Sequence, residues 1–90
     1  MKKYKKIFFD FWGYGEQDFI LCMGCEKAEA VDIHHLSPRG SGGSKHKDIP
    51  SNLAPVCRSC HWKAETNKEY NELIQNKLHE RITKKSWKII

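Results

Sequence analysis

No apolar run in this 90-residue sequence is long enough to span a bilayer. The first residues, MKKYKKIFFDFW, open with lysines as a secretion signal does. The apolar stretch behind them is short, however, broken by Asp10 and followed by no small-residue cleavage site. The sequence therefore reads as cytoplasmic, a compartment where thiols stay reduced. Internal repeats and a second hydrophobic block are missing too, so one domain over residues 1–90 is expected. A chain this short buries a modest fraction of its surface and often draws on a metal or disulfide for stability.

What is present begins with composition. Hydrophobic residues make up 39% and charged residues 30%, a balance that excludes a disordered chain and suits a soluble globular one. The formal charge is +5 and the pI about 9.1. That favours a polyanionic partner, most simply nucleic acid, although charge alone names none.

The centre of the sequence runs from Cys22 to His61: CMGC, then DIHHL, a glycine-rich loop, SNL, and CRSCH. In a reducing compartment two Cys-x-x-Cys pairs indicate a metal rather than a disulfide. Cys22, Cys25, Cys57 and Cys60 can fill the coordination sphere of a structural zinc. His34, His35, Asn52 and His61 are then left for a second, chemical site.

Local signals surround this centre. Tyr4, Phe8 and Phe11 or Trp12 fall at helical spacing and predict a short helix ending near Gly13. Its lysines, Lys2, Lys3, Lys5 and Lys6, are either a solvated fringe or contacts to a phosphate backbone. Cys22 to Cys25 forms a tight knuckle in which Gly24 takes a conformation other residues avoid. Residues 28–36 alternate as a strand. Alternation sends His34 and His35 to opposite faces, so a shared site needs the strand to end or distort there. Pro38, Gly40, Gly42 and Gly43 supply that termination. Residues 37–48 are a loop whose Arg39, Lys45 and Lys47 either contact phosphates or lie on a flexible surface, with His46 solvated. A second strand over residues 53–56 carries Pro55 at an edge or bulge. A helix starts at the second knuckle and carries His61. Residues 66–69, TNKE, match a capping box and favour a break before a second helix. Tyr70, Leu73, Ile74, Leu78 and Ile82 form its apolar stripe, His79 is structural or solvated, and the lysine-rich end is frayed.

Hydrolysing a phosphodiester requires a base to deprotonate water and a cation to neutralise charge on the phosphate and the leaving oxygen. Neutral imidazole suits both base and ligand, because its ordinary pKa lies near neutrality. At this point the ordered set DIHHL, GGSK, SNL and CRSCH, flanked by its cysteines, resembles the HNH endonuclease family in its four-cysteine zinc variant. The resemblance implies a small α+β fold with a ββα-metal, treble-clef-like core over residues 21–66. An N-terminal helical, basic segment (1–20) and a C-terminal helix and tail (67–90) would flank it. It implies His34 and His61 as ligands of a catalytic divalent metal, His35 as the general base, and Asn52 as the residue that ties down the loop and helps orient His35. It also implies a DNA substrate and products with 5′-phosphate and 3′-hydroxyl ends.

Many family members carry Asp where this chain has His34, and some add a ligand one turn beyond the last histidine, here Glu65. The catalytic ion is therefore open among Mg²⁺, Mn²⁺, Zn²⁺ and Ni²⁺. Arg58 and Lys63 flank the site as phosphate contacts or as plain surface charge. So small a surface for reading bases implies weak intrinsic specificity unless the protein dimerises or works beside a partner. Small free-standing members of the family are common in phage and bacteria.

Two other functions compete. A non-catalytic treble-clef zinc module binding nucleic acid or protein needs the cysteines but leaves the double histidine and Asn52 unexplained. A thiol redox protein is disfavoured by the two pairs and the lack of a thioredoxin-like pattern.

Overall fold

The computed structural model describes residues 2–37 and 47–84. Helix α1, Lys3–Trp12, turns Phe8 and Trp12 inward one turn apart. It stops where expected: Gly13 adopts φ 74, a left-handed conformation that costs glycine little, and returns its N–H to the Phe9 carbonyl.

The first knuckle is a tight hairpin. Leu21 bridges Glu29, the Cys22 N–H meets the Ala28 carbonyl at 2.9 Å, and the Glu26 N–H meets the Cys22 carbonyl at 3.0 Å. Its left-handed residue is Glu26, with φ 57, and not Gly24. Gly24 is required for a different reason. A β-carbon there would lie 2.6 Å from the Tyr70 hydroxyl and 3.0 Å from the Cys60 sulfur. The constraint is close approach rather than backbone conformation.

The expected strand over residues 28–36 is shorter. Residues 28–31 are the returning arm of the knuckle, and Val31 is 54% exposed. Strand β1, Asp32–His35, pairs antiparallel with β2, Leu53–Val56, aligning Ile33 with Pro55 and His35 with Leu53. Both strands are edges, so the missing N–H of Pro55 breaks no ladder, and its carbonyl accepts the Met23 N–H at 2.8 Å. The sheet is thereby tied to the knuckle. All four residues of β2 are buried.

Helix α2, Arg58–Thr66, leaves the second knuckle with Cys57 in the N-cap position. Helix α3, Lys68–Lys84, follows after a break at Asn67. The break is as expected, but its capping residue is not Thr66. The Asn67 side-chain oxygen accepts the Tyr70 N–H at 3.1 Å, whereas the Thr66 hydroxyl turns back to the Trp62 carbonyl at 3.0 Å.

On α3, Ile74 and Leu78 are fully buried, and Tyr70 and Ile82 flank them. Leu73 is 46% exposed and stands outside the stripe assigned to it. The Lys77 ammonium bonds the Glu26 carboxylate at 2.8 Å and the carbonyls of Met23 and Gly24, fastening α3 to the first knuckle. The core gathers Phe8, Met23, Leu53, Val56, Ile74 and Leu78 around Cys22. His79 is exposed and reaches the Ser51 carbonyl at 3.2 Å. No helix among the described residues is long and apolar enough to cross a membrane.

Burial on α3 sets the first prediction. Leu78→Ala will cost about 2–5 kcal/mol in denaturant unfolding, because it empties a filled core position. Leu73→Ala will change stability by about 0.5 kcal/mol or less. Equal losses would place Leu73 back in the core.

Candidate functional site

Two clusters of metal-ligating side chains lie side by side. In the first, the sulfurs of Cys22, Cys25, Cys57 and Cys60 are all within 4.8 Å of one another, and all four are free thiols. The backbone prepares them unequally. N–H groups of Ala28 and Lys27 hold the pKa of the Cys25 thiol down to about 6. Burial pushes that of Cys60 up to about 12, against the opposing hydrogen bond from the Tyr70 hydroxyl at 3.1 Å. The Gly24 N–H points at the Cys22 sulfur, 3.3 Å away. Four thiolates this close repel one another strongly unless a cation sits between them. Their number, softness and spacing suit a metal such as zinc.

The second cluster joins His34 of β1 to His61 and Glu65 of α2, with one ligand atom from each within 4.8 Å of the others. The hydrogen bonds show which nitrogen of each ring is engaged by an outer acceptor. The Asn71 amide donates to the Leu36 carbonyl at 3.0 Å, so its oxygen is the atom facing His34 Nε2 at 2.7 Å. Nε2 therefore carries the proton and donates. Nδ1 of His34, a ring only 4% exposed, is buried with no partner. Burial also holds the His34 pKa below its usual range, although the Asn71 bond works the other way. The ring is neutral with an orphaned lone pair.

His61 is arranged in the same manner. Its Nδ1 donates to Asp32 at 3.0 Å, and its Nε2 lies 3.5 Å from the Glu65 carboxylate. Burial resists ionisation of Asp32, but the bonds from His61 and from the Arg58 guanidinium at 2.9 Å outweigh it and hold the carboxyl below its ordinary value. The His34 and His61 rings are 5.0 Å apart. His34 Nδ1, His61 Nε2 and a carboxylate, with each imidazole held by an outer acceptor, fit a divalent cation with positions left open.

His35 belongs to neither cluster. Its Nε2 lies 2.8 Å from the Asp48 carboxylate, whose residue is 8% exposed, and its ring meets the edge of Tyr4 at 4.8 Å. Donation from Nε2 makes Nδ1 the basic atom. Asn52 bridges the two ends of the intervening loop. Its oxygen accepts the Ser37 N–H at 2.8 Å, and its amide donates to the carbonyls of Ser37 at 3.0 Å and Lys47 at 2.9 Å. Asn52 thus fixes the chain that delivers Asp48 to His35. Strand β1 stops at His35, and Leu36 bonds back to the Asn52 carbonyl at 3.0 Å. Termination at this point lets both histidines border one cleft of about 830 Å³, shared with Tyr4, His61, Glu65 and Lys68.

Three of the basic residues singled out in the sequence have protein partners. Arg58 pairs with Asp32, the Lys63 ammonium sits 4.4 Å above the Tyr70 ring, and Lys47 donates to the Ser37 hydroxyl at 2.8 Å. Arg39 and Lys45 lie outside the described residues. Sequence reasoning missed Asp32, Asp48, Asn71 and Tyr4. Asp32, two positions before His34 on the same strand, and Asp48, four before Asn52, were open to detection as acceptors for nearby imidazoles. Tyr4 and Asn71 reach the site only through tertiary packing and leave no local signal.

The family HNH endonuclease matches residues 22–68, just over half of the chain. No curated protein and no solved structure matches it.

The cysteine cluster predicts that Cys57→Ser, or a strong chelator, will release the bound metal and unfold the domain together, because binding free energy in a small metal domain is folding free energy. Metal content and far-UV circular dichroism followed in parallel check this. Asp32→Ala frees the His61 ring and will weaken divalent-ion binding at the histidine cluster by about 10- to 100-fold in calorimetry, leaving the cysteine-bound ion in place.

Proposed function

Since the chain belongs to the HNH endonuclease family, we propose that it is a metal-dependent DNA endonuclease that hydrolyses phosphodiester bonds with His35 as general base. The four cysteines hold a structural Zn²⁺. His34 Nδ1, His61 Nε2 and the Glu65 carboxylate hold the catalytic divalent ion, which is drawn from Mg²⁺, Mn²⁺, Zn²⁺ or Ni²⁺. When bound, that ion supplies positive charge to neutralise the scissile phosphate and stabilise the departing 3′ oxygen.

The protein's own groups do the rest. His35 accepts a proton from water at Nδ1, and the hydroxide attacks phosphorus to leave a 5′-phosphate. Asp48 keeps the proton of His35 on Nε2 and stabilises the imidazolium that forms, as a carboxylate does behind a catalytic imidazole elsewhere. Asn52 keeps the loop closed so that Asp48 stays in reach. Asn71 and Asp32 hold the remaining imidazoles in the tautomers that bind metal.

The observation that supports this reading best is the hydrogen-bond pattern of the three imidazoles. Each has one nitrogen committed to an acceptor, at 2.7 Å for His34, 2.8 Å for His35 and 3.0 Å for His61, so that the other nitrogen of each ring is left for chemistry. A structural histidine pair has no need of three such arrangements around one cleft. A zinc module without catalysis would need none.

Plasmid nicking with added Mg²⁺, Mn²⁺, Zn²⁺ or Ni²⁺ tests the proposal. The parent will cleave, and His35→Ala will be slower by about 100- to 10,000-fold with zinc content and melting temperature retained. Asp48→Ala will lower kcat by a smaller factor. A parent that binds zinc but cleaves nothing with any of these ions would be a binding module instead.

A further inference from the structure

The family match begins at Cys22, yet the cleft is bordered by a residue from α1. Tyr4 lines it with its ring 4.8 Å from that of His35, and the Lys2 ammonium lies 6.0 Å from the Tyr4 ring centre. The N-terminal end of α1 is therefore held beside the candidate base by an aromatic contact, and it brings a cation with it. Lys68, the first residue of α3, borders the same cleft.

Several of the other cations are committed elsewhere. Arg58 pairs with Asp32, Lys6 with Asp10, Lys77 with Glu26 and Lys84 with Glu80. Among the described residues, neither Lys2 nor Lys68 is in an ion pair. The carboxylate that lines the cleft, Glu65, faces His61 at 3.5 Å. A polyanionic strand entering the cleft thus meets the Lys68 ammonium, and one that continues past Tyr4 toward α1 meets the Lys2 ammonium beside the Tyr4 ring. An ammonium with three rotatable donors makes a good contact to a single phosphate.

We propose that Lys2 and Lys68 bind the backbone phosphates flanking the scissile one, so that α1 is part of the nucleic-acid surface and not only a cover for the core. The proposal rests on the endonuclease reading and names its substrate contacts. Backbone phosphates recur every ~3.4 Å of helix axis on each strand, so cations outside the histidine cluster meet neighbouring phosphates rather than the reacting one. Such contacts position the strand and carry no sequence information.

The test is the salt dependence of duplex DNA binding, by fluorescence anisotropy without added divalent ion, with cleavage assayed in parallel. The double variant Lys2→Ala/Lys68→Ala will bind more weakly on every duplex sequence. Its slope of log affinity against log salt will be shallower by about two, near one for each phosphate no longer neutralised. In cleavage it will raise KM with little change in kcat. The control pair Lys6→Ala/Lys84→Ala, of equal charge change, will retain most of the slope. An unchanged slope in the double variant, or an equal drop in the control pair, overturns the proposal. Cleavage by the parent combined with an unchanged slope sinks this inference alone. A reduced slope in the double variant of a parent that never cleaves sinks the endonuclease reading and leaves the phosphate-binding role standing.

Discussion

Four cysteine sulfurs held within 4.8 Å of one another form a centre whose number and spacing of ligands suit a metal such as zinc. Two come from the hairpin before the sheet and two from the turn into α2, so an ion between them cross-links segments far apart in the chain. The rest of the molecule is arranged around that link. Gly24 is bare because Tyr70 and Cys60 come too close for a side chain. Lys77 anchors α3 to the carbonyls of the same hairpin. Cys22 lies inside the apolar core, which makes the metal site and the core one unit. In a chain of 90 residues, with a small core to draw on, a metal bound there would add its binding free energy to the fold.

The link also places the chemistry. His61 follows Cys60 directly, so its backbone position is set by the sulfur cluster, while Asp32, across from it on β1, decides which ring nitrogen is exposed. His34 and His35 are adjacent in sequence but are given different work by different acceptors. Asn71 turns the first into a buried ring whose Nδ1 has no partner, and Asp48 holds the second by its Nε2 at the cleft edge. Leaving a buried nitrogen without a partner costs roughly 1–3 kcal/mol unless something else satisfies it. A divalent ion shared with His61 and Glu65 would do so.

Much of this was legible in the sequence, and the rest was hidden for identifiable reasons. The cysteine spacing, the end of α1 at Gly13 and the break near Asn67 depend on local chemistry, and local chemistry is what a sequence displays. Gly24 was legible as special but not for the right reason, because its crowding comes from a residue on α3. The strand over residues 28–36 was overextended because Val31 alternates correctly but stays largely exposed. Thr66 fitted a capping pattern, yet Asn67 stood one residue nearer the α3 amides. Arg58 and Lys63 looked like surface charge available to DNA. Their partners, Asp32 and Tyr70, meet them only in the folded chain. The roles of Tyr4 and Asn71 arise entirely from packing.

Sulfur holds one ion, on this account, and imidazole nitrogen with a carboxylate holds another. X-ray absorption at the zinc edge, on protein loaded first with one and then with two equivalents of Zn²⁺, tests that division most directly. The expected result is an all-sulfur shell near ~2.3 Å for the first ion and a nitrogen and oxygen shell near ~2.0–2.1 Å added by the second. A mixed sulfur–nitrogen shell at one equivalent, or no second ion taken up, would contradict it.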